Sequence, residues 1–214
     1  MRYALLLAAA TLGLSLSAAA TQPDGVAESG DTRRRDAAEA VFAQVRSDPL
    51  APTIAPRGHD VTIVVFSDYQ CGYCRRFNPT LDALMAEDRK LRVVYRDWPI
   101  LGGGSGPAAR AAIAASFQGR HLPFHRALLA QPGRIDAAKI RAAADAAGVD
   151  WKRLERDQVR RKADIDALLA RTNGHARTLG LSGTPGLLVG SQIIPGMVDL
   201  PTLRRAVARA RAPR

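Results

Sequence analysis

The chain contains two cysteines, Cys71 and Cys74, and they stand three positions apart. A C-x-x-C loop is too short to staple distant elements. The pair therefore reads as a redox centre or as half of a metal site. In the first case a thiolate attacks a disulfide sulfur and a second thiolate resolves the mixed disulfide. In the second, two thiolates supply soft ligands for zinc or copper(I). A complete zinc site needs further ligands, and the candidates are His59, His121, His125 and His175. His121 and His125, at i and i+4, could share a helix face. No second C-x-x-C is present, the His121/His125 pair does not stand at zinc-site spacing from the cysteines, and there is no H-E-x-x-H motif, phosphate loop or nucleotide fingerprint. The redox reading is the stronger one.

The elements around the pair support it. Val61 to Phe66 is almost wholly apolar and β-branched, the composition of a strand buried on both faces. Ser67-Asp68-Tyr69-Gln70 leads into Cys71, and Phe77, Leu81, Leu84 and Met85 then follow a helical pattern. Cys71 thus stands where a helix begins, and the unpaired N–H groups there favour its thiolate. Arg75 and Arg76 add positive charge, and the Cys74 thiol one turn on can donate to the Cys71 sulfur. Cys71 is expected to attack and Cys74 to resolve. Pro79 predicts a kink in this helix. Leu91 to Arg96 reads as a second strand, which completes a strand–helix–strand unit.

Beyond Gly102-Gly103-Gly104 lies a long helical stretch. Pro107 suits a helix start, Asp136 and Asp150 suit N-caps, and Gly148 suits a C′ position. The helix near 150–179 is expected to bend or break around Asn173-Gly174 and to end at Gly180. Gly186–Val189 and Gln192–Pro195 read as two short strands joined by Gly190-Ser191. Asp199 caps a closing helix with Leu203, Val207 and Ala210 on its apolar face.

The start of the chain has another purpose. Arg2, an apolar run from Ala4 to Leu16 and Ala18-Ala19-Ala20 have the order of a secretory signal peptide cleaved after Ala20. Residues 21–58 are read as a leader, a helix over 31–46 and a linker carrying Pro49, Pro52 and Pro56. Export permits disulfide chemistry. The formal charge of +11 raises the question of nucleic acid. The arginines, however, are spread along helices and mostly not interleaved with aromatics, so the charge speaks to solubility and non-specific attraction instead.

Three motifs in order give a specific resemblance. Phe66-Ser67-Asp68-Tyr69-Gln70-Cys71-Gly72-Tyr73-Cys74-Arg75-Arg76-Phe77 resembles the active-site segment of DsbA-like periplasmic thiol:disulfide oxidoreductases. Val94 to Gly102 resembles that family's second strand and following loop, and Gly183-Thr184-Pro185-Gly186 its cis-proline loop. The match spans roughly residues 48–212. It implies an α/β thioredoxin fold over 59–212 with a helical insert at about 104–180. It further implies that Pro185 is cis beside the cysteines and that Thr184 and Pro185 meet the client peptide, with Thr184 touching the Cys71 sulfur.

The resemblance brings no cofactor. Its implied partners are exported client proteins with cysteines and a membrane redox partner that reoxidises or reduces the pair, for a monomer or small homo-oligomer. The Gly72-Tyr73 dipeptide and Thr184 resemble the isomerase-type DsbC and ScsC-like members. One departure is Val65, where many relatives carry an acid that assists proton movement from the second cysteine. Asp68 is a candidate substitute. Two further readings stay open: a thiolate metal chaperone, and a cysteine-independent chaperone with an apolar groove at Tyr73, Trp98 and Pro185.

Overall fold

The computed structural model describes residues 39–212. The expected signal peptide, the leader and the start of the first helix lie outside them. The described chain begins in helix α1, residues 39–47. There follow β1 (Thr53–Ile54), β2 (Val61–Ser67), α2 (Gly72–Glu87) and β3 (Leu91–Asp97). Five helices come next: α3 (Ser105–Ser116), α4 (His121–Ala130), α5 (Ala137–Ala146), α6 (Trp151–Arg160) and α7 (Lys162–Thr178). The chain closes with β4 (Gly186–Val189), β5 (Gln192–Pro195) and α8 (Leu200–Arg211).

The strands form one mixed sheet in the order β1-β3-β2-β4-β5. β2 pairs parallel with β3, with Val65 opposite Tyr95 and Ser67 opposite Asp97. On its other side β2 pairs antiparallel with β4, Val65 lying opposite Leu187. A strand apolar on both faces needs cover on both faces, and β2 has it. Val61, Ile63 and Val65 pack with Phe77, Leu81 and Leu84 of α2 and with Leu203 and Val207 of α8. Val64 and Phe66 face the opposite core, formed with Phe42 and Val45 of α1 and the apolar residues of the helical insert. The first helix thus packs on its own domain.

The strong local signals are realised. Asp136, Asp150 and Asp199 each cap a helix by accepting from the backbone N–H three residues on. Gly148 follows α5 at φ +64°. α2 continues through Pro79. Two expectations are corrected. The linker contains a strand: Thr53 and Ile54 pair antiparallel with Val94 and Val93 and extend the sheet. The helical stretch near 150–179 breaks at Arg161, not at Asn173-Gly174, which lies inside α7. Asparagine disrupts a helix when its side chain bonds to nearby backbone. The Asn173 side-chain oxygen Oδ1 instead accepts from Trp98 Nε1 at 3.1 Å, which leaves the α7 backbone intact.

Candidate active site

β2 ends in the interior of the sheet, and the chain must turn sharply to start α2. Cys71 N–H closes that turn on the Asp68 carbonyl at 3.0 Å. Cys71 is the N-cap of α2, with extended backbone, and its sulfur accepts from Cys74 N–H at 3.4 Å. The sulfur thus takes the N-cap role at the start of α2. The sulfur also donates to the Thr184 carbonyl at 3.1 Å. The Thr184–Pro185 peptide is cis, and Pro185 accepts through its carbonyl from Gly196 N–H at 2.9 Å. The fold therefore brings Thr184, 113 positions away in sequence, onto Cys71.

Both cysteines are free thiols and both are buried, Cys71 at 5% and Cys74 at 2% exposure. Cys71 is thus enclosed even though it stands at the start of α2. Burial pushes the Cys74 thiol up to about 12, and the neighbouring Cys71 adds to this. Contacts from the Asp68 backbone and the Thr184 side chain oppose the rise. Tyr73, between the two cysteines in sequence, is 58% exposed, and Ile100, Leu101 and Met197 are also exposed. Gly72 carries no steric demand, since a Cβ there would meet only Arg76 Nη1 at 3.9 Å.

Several expectations about neighbours change. Arg75 donates to the carbonyls of Tyr69 and Gly133. Arg76 lies over the Tyr73 ring, 4.4 Å from its centroid. Trp98 is buried, edge-on to Phe66, and belongs to the core and not to a groove. Asp68 is no stand-in for the acid missing at Val65. Its carboxylate accepts from Gln70 N, Ile100 N, Leu101 N and Ser105 Oγ at 2.7–2.9 Å. Those bonds fix the loop after β3 against the corner.

The histidines separate. His59 is exposed and bonds the Pro56 carbonyl. His175 lies with Arg96 and Gln44. His121 and His125 do share a face of α4, stacked with ring centroids 5.5 Å apart, and both are buried. With Asp97 they form the one group among the described residues whose three potential ligand atoms lie within 4.8 Å of one another, and it excludes both cysteines. Ligands about 2.1 Å from a tetrahedral zinc lie about 3.4 Å apart. Asp97 Oδ2 and His121 Nε2 are 3.9 Å apart, and His125 Nδ1 is already engaged by the Tyr69 hydroxyl at 2.9 Å. The group as it stands is a poor zinc cage. Asp97 and Tyr69 were not identified beforehand as site residues. The only signal in sequence was the i, i+4 histidine pair.

Residues 62–208 match the model of the DSBA-like thioredoxin domain. A thioredoxin-like oxidoreductase from Silicibacter pomeroyi DSS-3 superposes with TM-score 0.74 at 40% identity, covering 78% of this chain and 96% of that one. The catalytic domain of Proteus mirabilis ScsC gives 0.74 at 25% identity, covering 84% and 99%. The thiol-disulfide exchange protein alpha-DsbA2 from Wolbachia pipientis gives 0.75 at 26%, covering 83% and 97%. Among curated proteins, the Na(+)/H(+) antiporter NhaA 1 of Salinispora arenicola is 29% identical over 157 residues, 72% of this chain and 24% of that protein. The chain spans about a quarter of the length of the curated relatives it matches. No described helix here is long and apolar enough to cross a membrane.

Proposed function

The chain belongs to the family of DSBA-like thioredoxin domains, and from that premise we propose that it is an exported thiol:disulfide oxidoreductase acting on cysteine-containing client proteins. The observation that carries this is the Cys71 sulfur at the head of α2, 3.4 Å from Cys74 N–H and 3.1 Å from the carbonyl before the cis proline. The order of residues 1–20 supports export.

The exchange runs in two displacements. The Cys71 thiolate attacks a client disulfide. A Cys71–client disulfide forms and one client thiolate leaves. Cys74 then loses its proton and attacks the Cys71 sulfur. The Cys71–Cys74 disulfide forms, the second client thiolate leaves, and two electrons have passed to the client. Run backwards, the same steps oxidise a client dithiol. Thr184 and Pro185, with exposed Tyr73, Ile100 and Leu101, supply backbone and apolar surface for an extended client segment. A membrane redox partner resets the pair.

Cys71→Ser is expected to abolish exchange with a disulfide-bonded client. Cys74→Ser is expected to accumulate the Cys71–client adduct, read by mass on non-reducing separation. Full exchange by Cys71→Ser would overturn the mechanism. A glutathione-buffered titration then sets the direction, where about 30 mV corresponds to 1.4 kcal/mol.

A further inference from the structure

The corner that holds Cys71 carries positive charge with little negative charge to meet it. Its own carboxylate, Asp68, is buried and already takes bonds from Gln70 N, Ile100 N, Leu101 N and Ser105 Oγ. Three arginines reach the same corner. Arg75 is bound to the carbonyls of Tyr69 and Gly133. Arg76 is exposed and lies over the exposed Tyr73 ring, 4.4 Å from its centroid. Gly72 is one turn earlier on the same helix face. A Cβ there would stand 3.9 Å from Arg76 Nη1, so this guanidinium sits beside the Gly72-Tyr73 dipeptide that separates the cysteines.

Arg134 comes to the corner from the helical insert. Its two chain neighbours are both tied there, Gly133 through Arg75 and Ile135 through the Gln70 side-chain oxygen at 2.6 Å. The Arg134 side chain is exposed. Arg134 Nη2 and Gln70 Nε2 converge at Gly103, each 3.1 Å from the place a Cβ would occupy. Glycine, which φ +52° favours at that position, leaves the space to the two donors. Among the described residues no acceptor engages Gln70 Nε2, and no carboxylate pairs with Arg76 or Arg134. Gln70 directly precedes Cys71. Two sets of unanswered donors thus flank the attacking cysteine along the chain, one before it and one after it. A carboxylate has two oxygens and can take Arg134 Nη2 and Gln70 Nε2 together. Stacking on Tyr73 holds the plane of Arg76 and leaves its edge donors free.

We propose that the rim of Cys71 selects client segments that carry Asp or Glu next to the reacting cysteine. One flanking carboxylate is held by Arg134 with Gln70, and the other by Arg76 upon Tyr73. The proposal rests on the reading of Cys71 as the attacking thiol of an oxidoreductase, and it names the class of client. Arg76 and Arg134 set specificity and take no part in the displacement. Charge at the rim of a site acts on encounter and on salt dependence more than on the bound chemistry. The preference therefore belongs to the first phase, in which Cys71 meets the client, and fades as salt screens the exposed guanidiniums.

The test uses peptides that differ only beside their cysteine, Glu-Cys-Glu, Gln-Cys-Gln and Lys-Cys-Lys, each as its 2-pyridyl disulfide. The Cys71 thiolate attacks the peptide sulfur, the Cys71–peptide disulfide forms, and uncharged pyridinethione leaves and is read by absorbance. Each rate is divided by that of the same peptide with β-mercaptoethanol, which removes differences between the peptides themselves. The reduced wild-type protein is expected to favour the Glu peptide over the Lys peptide about tenfold, the reach of two exposed ion pairs. The ratio should shrink between about 20 mM and about 300 mM salt. Arg76→Glu/Arg134→Glu should invert it. Arg76→Gln and Arg134→Gln, which keep long polar side chains, should each lower it, should the double variant fail to fold. Arg89→Glu/Lys90→Glu reverses two exposed charges in the turn before β3, at the end of the sheet away from the corner, and should leave the ratio as it is. A wild-type ratio near one would overturn the proposal. So would a wild-type ratio in the folded arginine variants, or equal slowing of all three peptides there, the mark of a structural role. An equal change in the Arg89/Lys90 variant would also overturn it, because net charge and not the rim would then select. Absence of reaction with all three peptides in the wild type would instead strike the thiol-exchange reading itself.

Discussion

A carboxylate three residues before a reactive cysteine invites a role in proton transfer, and Asp68 shows why a side chain's partners decide its job. The loop from Pro99 to Ser105 has no regular structure of its own before α3 begins, so its amides need acceptors. Asp68 supplies them to Ile100 and Leu101 and also accepts from Ser105 Oγ and Gln70 N. Asp68→Ala would leave those donors unpaired beside the active corner. Hydrogen bonds to a charged group contribute about 1.5–3 kcal/mol each, and they do not add. A net loss of about 3 kcal/mol is expected in urea unfolding, while the folded fraction keeps most of its Cys71 attack rate. A stable variant with no Cys71 attack would instead place Asp68 in the chemistry.

At the scale of elements, two glycines make opposite predictions. Gly104 has an ordinary helical backbone, φ −73°, yet a Cβ there would stand 2.1 Å from the Ile135 carbonyl oxygen. Ile135 N–H in turn donates to Gln70 Oε1 at 2.6 Å, just ahead of Cys71. Gly104→Ala must push the 131–136 segment off that corner, and overpacking of this kind costs about 1–3 kcal/mol. Gly174, inside α7, has open space around it, so Gly174→Ala is expected to stabilise by about 0.5–1 kcal/mol. Thermal melts of the two variants should shift in opposite directions. The same contrast shows what was legible in sequence. The corner, the three aspartate caps and the cis-proline loop announce themselves through local chemistry or motif. β1 does not, because two residues within a proline-bearing linker carry no pattern and their pairing with Val93 and Val94 is long-range. Asn173-Gly174 signals a break that a bond from Trp98 overrides, whereas Arg161, where the break occurs, carries no turn signal. Asp97 and His121 meet only through the fold.

Across the whole molecule, one buried ionic network ties the first helix to the sheet and the insert. Arg96 is fully buried and donates to Asp48 at 2.9 Å, and Arg171 of α7 grips the same carboxylate with two bonds of 2.9 Å. Arg96 also donates to His175 Nδ1, whose other nitrogen meets Gln44 of α1. Burial works to raise the Asp48 carboxyl, but the two arginines outweigh it and hold it down at about 2, against 3.8 for a free carboxyl. A depressed acid adds stability that is complete above its unfolded value and is lost as the pH falls through the folded one. That window runs from about pH 4 to about pH 2 and holds about 2 kcal/mol. Histidines act earlier. Burial holds His125 and His175 below 6.5, so the unfolded chain takes up protons first and stability falls as the pH drops below 6.5. Urea unfolding at pH 7.5, 5.5 and 3 should therefore show two successive losses. Asp48→Asn should cost about 3–5 kcal/mol at pH 7.5, because Arg96 is left charged and unpaired, and should flatten the lower loss while keeping the upper one. His175→Gln should shrink only the upper loss. If Asp48→Asn left the profile below pH 4 as steep as in the wild type, other carboxylates would carry the acid transition and the network would not be its source.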